Sequence, residues 1–269
     1  MDAVAVTGLL VAALRAEESK REDRLFDDPF AEALAGEQGR AVLERYRAAA
    51  TTGTVPIIEV RTRFFDDAIA RACAAGIRQF VFLAAGMDTR AYRLEWPEES
   101  TLFELDRPEV IAWKARGLAA ALPRCSRVAL GADLAEDWAP VLEAHRFDRR
   151  ERTQWLVEGL LQYLELPLIQ LIFARIDALS APGSRVLYDI VGRSLLESPV
   201  VTGTLQMMRE LGAPWLFGTD EPAELIARWN AVVTDPAVPG NAWKRWPFPA
   251  APPLVRGVPR SYFVEGSKP

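Results

Sequence analysis

Residues 1–75 and residues 76–190 carry different patterns of apolar and polar positions. The first part is helix-rich in texture: an apolar stretch from Val4 to Leu14, a charged run from Glu17 to Arg24, then Leu25-Phe26-Asp27-Asp28-Pro29-Phe30 leading into an Ala-rich segment, with no strand pattern. From Arg78 the texture changes. Short β-rich runs, Gln79–Leu83, Thr101–Leu105, Arg127–Leu130, Gln154–Val157 and Ser184–Val191, alternate with helical ones. That alternation predicts an α/β fold, a parallel sheet covered by helices on both faces. Before the last of these runs, Leu168, Ile169, Ile172, Phe173, Ile176 and Leu179 recur at helical spacing after Pro167, and Pro182-Gly183 ends the helix. Beyond Val191 the pattern becomes irregular. Helical pieces are expected around Thr204–Leu211 and Pro222–Asn230, a Pro/Trp-rich loop over Pro236–Pro253, and a final extended run, Ser261–Val264, returning to the sheet edge. The expected organisation is one domain over 1–269, with a helical cap (1–75), a core (76–190), a second cap or substrate elaboration (191–253), and a return strand and tail (254–269).

Composition narrows the class. With 269 residues, half of them apolar, the chain can bury one large core without staples. Its 37 acidic and 32 basic residues leave a net charge of -5, interleaved along the chain rather than gathered in basic blocks, which argues against a nucleic-acid partner. Cys73 and Cys125 read as reduced thiols, so a cytoplasmic location is expected. The Val4–Leu14 stretch has about the length of a signal-peptide core, but Asp2 precedes it and no small-residue cleavage pattern follows. No apolar run reaches the ~18 residues of a membrane span. A soluble protein with no membrane partner is expected.

The candidate chemistry lies at the strand ends. Phe80-Val81-Phe82-Leu83-Ala84-Ala85-Gly86-Met87-Asp88-Thr89 reads as a buried strand emptying into a small-residue turn, where a ligand can approach the backbone. Twenty residues after Gly86, the next strand ends in Asp106, the position from which a carboxylate accepts the hydroxyl protons of a nucleoside ribose. Taken singly, Gly86 is an ordinary turn glycine and Asp106 a helix cap before Pro108; the pairing is the signal. A nicotinamide cofactor fits the same layout, yet its pyrophosphate calls for several glycines, and this turn has only Gly86 among Ala84, Asp88 and Arg90. S-adenosylmethionine carries no phosphate and needs only one. A third strand leads through Gly131-Ala132 to Asp133-Leu134, where the aspartate can accept the adenine amino group while the leucine packs on the ring; the same Asp also starts a helix well.

At this point the sequence resembles the leucine carboxyl methyltransferase family and its bacterial small-molecule relatives. Four stretches carry the likeness: Arg15-Ala16-Glu17-Glu18-Ser19-Lys20-Arg21 with Asp28-Pro29-Phe30; Arg61-Thr62-Arg63-Phe64-Phe65-Asp66; Leu83-Ala84-Ala85-Gly86-Met87-Asp88-Thr89-Arg90-Ala91-Tyr92-Arg93-Leu94; and Glu158-Gly159-Leu160-Leu161-Gln162-Tyr163-Leu164. Phe103-Glu104-Leu105-Asp106, Asp133-Leu134 and Pro259-Arg260-Ser261-Tyr262-Phe263-Val264 add to it. The resemblance implies a class I methyltransferase Rossmann-like sheet that uses S-adenosylmethionine and releases S-adenosylhomocysteine. It further implies that Lys20 and Arg61 hold the cofactor's methionine carboxylate, a task for charge-assisted hydrogen bonds. Gly86 would form the turn beneath the cofactor, Asp106 bind the ribose, Asp133 and Leu134 clamp the adenine, and Glu158 lie near the methionine moiety. From the residues alone, Lys20 and Arg61 would be surface residues. Ala84 stands where the family usually has the first glycine of a Gly-x-Gly turn, a hint also compatible with a binding module that has lost catalysis.

Methyl transfer from a sulfonium is an in-line displacement, and a carboxylate acceptor, with a reference pKa of about 4, needs no general base. That suits a chain whose single histidine, His145, lies in a polar stretch. The favoured expectation is O-methylation of a small natural-product-like acid or a peptide C-terminus to a methyl ester. A phenol or alcohol acceptor is the alternative, with Glu158, Asp189 or Tyr163 as the base; no residue stands out as a firm catalytic group, and no metal is called for. Tyr163, Tyr188 and Arg193 are further acceptor-positioning candidates beside Glu158. Trp215, Trp229, Trp243 and Trp246, with Phe217 and Phe248, wall a pocket or simply pack a lid.

Overall fold

The computed structural model describes residues 3–50, 55–237 and 258–269. Three helices come first: α1 (Ala3–Ser19), α2 (Ala31–Ala49) and α3 (Ile57–Ala74). The sheet then begins with β1 (Gln79–Leu83), β2 (Thr101–Asp106), β3 (Ser126–Gly131), β4 (Thr153–Val157) and β5 (Arg185–Val191). Between and after these strands lie α4 (Arg90–Arg93), α5 (Pro108–Gly117), α6 (Ala139–Glu143), α7 (Leu166–Ala178), α8 (Arg193–Leu196) and α9 (Thr202–Glu210); β6 (Asn230–Thr234) and β7 (Ser261–Ser267) finish the sheet. No helix among the described residues is long and apolar enough to cross a membrane.

The strand order is β3-β2-β1-β4-β5-β7-β6, with the first five parallel and β7 antiparallel to both β5 and β6. From β1 the chain moves outward to β2 and β3, then returns to the other side of β1 for β4 and β5. The reversal opens a crevice at the carboxyl ends of β1 and β4, where open α/β sheets bind ligands. Strand β1 is buried along its whole length because both faces are covered. Phe80 and Phe82, with Leu102, Leu156, Leu187 and Phe263, join the core beneath α1, α2 and α3. Their neighbours Val81 and Leu83, with Phe103, Trp155, Val157, Tyr188 and Val264, join the core beneath α6 and α7. The period-two alternation of these strands thus feeds two cores on opposite faces, as the sequence pattern predicts.

Two expectations for the last third need correction. The piece expected to be helical over Pro222–Asn230 is a short 3-10 turn at Pro222–Ile226, and after a turn through residues 227–229 the chain enters β6. The returning run does not form the edge: β7 lies between β5 and β6, and β6, exposed along most of its length, is the edge strand. Most of the anticipated Pro/Trp-rich loop, with Trp243, Trp246 and Phe248, falls outside the described residues.

Candidate active site

A cavity of about 820 Å³ opens over the carboxyl ends of β1, β2, β4 and β5, roofed by α1, the first turn of α3 and the α8–α9 segment. Its floor is the turn after β1. Ala84 and Gly86 both take left-handed backbone there, with φ of 51° and 44°. A Cβ at Gly86 would meet nothing nearer than the Ala84 carbonyl at 3.8 Å, so a side chain there would project into open space that the glycine leaves to a ligand. The Gly86 amide donates to Asp106 Oδ2 at 2.6 Å, and the Arg107 amide donates to Oδ1 at 2.7 Å. Burial pushes the Asp106 carboxyl up, against the pull of those two amides. Asp133 and Leu134 line the same end of the cavity, beyond β3, and Asp133 also accepts the Ala135 amide at 2.9 Å, so it caps the following turn as well.

The opposite end is built from buried ion pairs. Arg61, on α3, donates from Nε to Glu158 at 2.9 Å and from Nη1 to Asp189 at 2.8 Å. Glu158 closes β4 and takes a second guanidinium, Arg90, at 2.7 Å. Arg90 continues to Asp66 at 2.7 Å and to Asp88, and Arg93 grips both oxygens of Asp66 at 2.6 and 2.7 Å. Asp189 also accepts the Gly159 amide at 2.6 Å. Gly159 has φ 67°, and a Cβ there would lie 3.1 Å from Arg61 Nη1, so glycine is what lets the guanidinium pack against the turn. Burial disfavours the charge of Asp88, but Arg90, Lys114 and Arg15 overcome it and draw its pKa down to about 2. At Asp189 burial wins: with the like charge of Glu158 it raises the carboxyl's pKa despite Arg61.

Most of the residues singled out by sequence meet at this cavity. Arg61, Gly86, Asp106, Asp133, Leu134, Glu158 and Tyr163 all line it. Lys20 does not. It lies just past the end of α1 on an exposed turn, with Nζ 2.6 Å from Glu32. The basic residue that α1 delivers is Arg15, buried, 3.1 Å from Asp28 and donating to the Met87 carbonyl. Tyr188 is likewise absent from the wall. Strand alternation sends it to the other face, where its ring packs 5.0 Å from Phe173 and its hydroxyl donates to the Pro222 carbonyl at 2.6 Å. The next residue, Asp189, faces the cavity instead. Arg193 begins α8 with its side chain exposed and is not part of the lining. Of the C-terminal aromatics, Trp215 lines the cavity, while Trp229 packs in the core beneath α7 and hydrogen-bonds Asp177 at 3.1 Å. His145 is exposed and outside the lining.

Tyr46, on α2, was not singled out by sequence and lines the cavity. Its helix has no catalytic signature, and only the tertiary fold brings it near Tyr163.

Comparison with known proteins accords with this geometry. The family model described as leucine carboxyl methyltransferase matches residues 8–177. A Parafrankia sp. protein, provisionally assigned as an S-adenosyl-L-methionine-dependent methyltransferase, is 37% identical over 273 residues, covering 97% of this chain and 86% of that protein. One from Saccharopolyspora erythraea with the same provisional assignment is 44% identical over 200 residues, covering 70% of this chain and 68% of its own. Among solved structures, a DUF574 family protein from Streptomyces avermitilis has a TM-score of 0.64 at 19% identity, covering 96% of this chain and 97% of its own, a likeness of fold. The chain belongs to the leucine carboxyl methyltransferase family of S-adenosylmethionine-dependent methyltransferases.

Proposed function

We propose that the protein transfers the methyl group of S-adenosylmethionine to a carboxylate oxygen of a small organic acid or of a peptide carboxyl terminus. The observation that carries the cofactor half is the Gly86–Asp106 pair. A carboxylate at the end of β2 is fixed by the amide of a single-glycine turn and lines the cavity. Asp106 would accept from the ribose hydroxyls, Asp133 from the adenine amino group, and Leu134 would pack on the ring. Glu158 and Asp88, held by Arg90, present negative charge where the ammonium and sulfonium would lie, with Arg15 and Arg61 beside them to meet the carboxylate. The glycine-poor turn remains unsuited to a pyrophosphate, which argues against nicotinamide chemistry.

The carboxylate half rests on the state of the possible bases. S-adenosylmethionine supplies a methyl group on a sulfonium, and a carboxylate oxygen takes it as sulfur leaves with the bonding pair, giving a neutral ester and a neutral thioether with no proton to move. A phenol or alcohol would need a proton acceptor. Glu158 and Asp189 are both engaged by Arg61, Tyr163 reaches the cavity as a hydroxyl that would have to give up its own proton before taking another, and His145 lies elsewhere. What the chain has to do is hold the acceptor in line and exclude water, the task of the roof over the cavity.

The test is incubation with methyl-labelled S-adenosylmethionine and a panel of acids and phenols. Label that mild base releases as methanol marks an ester and supports the reading. Base-stable label on phenols alone would overturn it.

A further inference from the structure

Resting on that carboxylate reading, we infer that the acceptor is an apolar monocarboxylic acid, held through its carboxylate by the hydroxyls of Tyr46 and Tyr163 and through its body by the apolar wall.

The cations of the cavity point away from a charge-based clamp. Arg15 is paired with Asp28, Arg61 with Glu158 and Asp189, and Arg260 with Asp235; the fourth lining arginine, Arg107, stands at the ribose end, next to Asp106, whose Oδ1 accepts its amide at 2.7 Å. With Arg15 and Arg61 given to the cofactor's own carboxylate, and each already held by a buried acid, neither is left to clamp a second carboxylate on the acceptor. The two tyrosines differ. Among the described residues neither hydroxyl has a hydrogen-bond partner, and both side chains line the cavity from different elements, α2 and the turn after β4. Burial, with Glu59 and Tyr163 close by, raises the pKa of the Tyr46 phenol and keeps it a donor. An O–H donor holds a carboxylate oxygen by a charge-assisted hydrogen bond without cancelling its charge, which leaves the other oxygen free to attack.

Much of the remaining wall is hydrocarbon: Ile58 from α3, Leu195 from α8, Val201 and Met208 at α9, and Trp215 line the same cavity. Such a wall binds by removing apolar surface from water and offers little to the polar backbone of a peptide. A second carboxylate on the acceptor would meet no unmatched cation among Arg15, Arg61 and Arg260.

The experiment measures labelled methyl transfer, and in parallel calorimetric binding to protein saturated with S-adenosylhomocysteine. The acceptors are straight-chain alkanoates of increasing length, succinate, a hydrophilic peptide with a free carboxyl terminus, and alkylphenols. Each added methylene is expected to raise kcat/KM by about fourfold until the cavity is filled, with succinate and the peptide left unmethylated. Tyr46→Phe and Tyr163→Phe are each expected to lower kcat/KM for the best alkanoate at least about tenfold, the loss expected for a hydrogen bond to a charged group, while S-adenosylhomocysteine affinity stays the same. Preference for succinate or the peptide, or no dependence on chain length, overturns the apolar-acid assignment and leaves carboxyl methylation standing. Unaltered kinetics in both tyrosine variants overturns the hydroxyl clamp. Transfer to phenols alone removes the carboxylate reading itself, and an alkanoate series that neither binds nor reacts overturns the inference.

Discussion

Replacing Ala84 by glycine should stabilise the protein and leave cofactor binding intact or improved. Ala84 is the first residue after β1 and holds a φ of 51°. An L-residue in left-handed backbone costs about 1–2 kcal/mol relative to glycine, because Cβ crowds the following carbonyl oxygen. Glycine gives back part of that through the greater freedom of the unfolded chain, about 0.4–1 kcal/mol. The difference favours Ala84→Gly by about 0.5–1 kcal/mol. A melting entropy of about 2.1 cal/mol/K per residue gives about 0.6 kcal/mol/K for the 269-residue chain, so the expected rise in Tm is about 1–2 °C. The residue also lines the cavity, and loss of its methyl group lets a ligand approach the turn more closely. Differential scanning calorimetry measures the first effect and titration with S-adenosylhomocysteine the second. A fall in Tm, or weaker S-adenosylhomocysteine binding, would refute the reasoning: the methyl group would then be a packing contact that outweighs the backbone strain.

Other residues of the site give further tests. Asp106→Asn should weaken S-adenosylhomocysteine binding at least about tenfold near neutral pH, since a charged acceptor is worth about 1.5–3 kcal/mol. Because burial raises the Asp106 pKa, wild-type affinity should fall as pH drops through a range above that of an ordinary aspartate, and calorimetry on the variant should show that dependence gone. Arg61→Met should cost about 3–5 kcal/mol of stability in a denaturant titration by leaving Asp189 without its cation and Glu158 with Arg90 alone, whereas Lys20→Ala, which breaks an exposed pair, should cost no more than about 1 kcal/mol and leave S-adenosylhomocysteine affinity unchanged. At Asp88 the folded pKa, about 2, lies below its ordinary 3.8, so its stabilisation is complete above that ordinary value and is lost as pH falls towards 2. The shift corresponds to about 2 kcal/mol, and urea midpoints between pH 5 and 2, a range set around those two values, should fall less steeply in Asp88→Asn.

What could be read from the sequence depended on whether a residue's position is set locally. Gly86, Asp106 and Asp133 follow directly from runs that are recognisable as strands, and the ends of neighbouring parallel strands meet at one rim, so naming the strands places them together. Arg15 lies inside α1 and Lys20 just past its end, and the choice between them depends on where α1 stops, a boundary that sequence places only to within a turn. The difference between Tyr188 and Asp189 is one residue of strand parity, which sends one side chain to each face of the sheet. Strand β6 gave no signal, because Asn230–Thr234 is a short, largely exposed edge whose partner, β7, comes from far along the chain. Tyr46 is the extreme case: only the packing of α2 over the sheet brings it to the cavity.

The buried charges explain how such scattered segments form one wall. Arg61 on α3, Arg90 and Arg93 after β1, Asp66 on α3, Glu158 after β4 and Asp189 on β5 are joined by hydrogen bonds no longer than 2.9 Å. Replacing such a set by apolar residues is often neutral or stabilising, so net stability is a poor reason for its presence. Geometry is a better one. Each guanidinium spans two carboxylates from different segments or fixes both oxygens of one, which sets the angle of α3 relative to the ends of β4 and β5 in a way that interchangeable hydrocarbon contacts would not. An in-line methyl transfer depends on that angle, because α3 carries both Arg61 and the apolar Ile58 on the cavity wall. In the proposed reaction the rigid charges would fix the donor, and the hydrocarbon carried on the same elements would receive the acceptor.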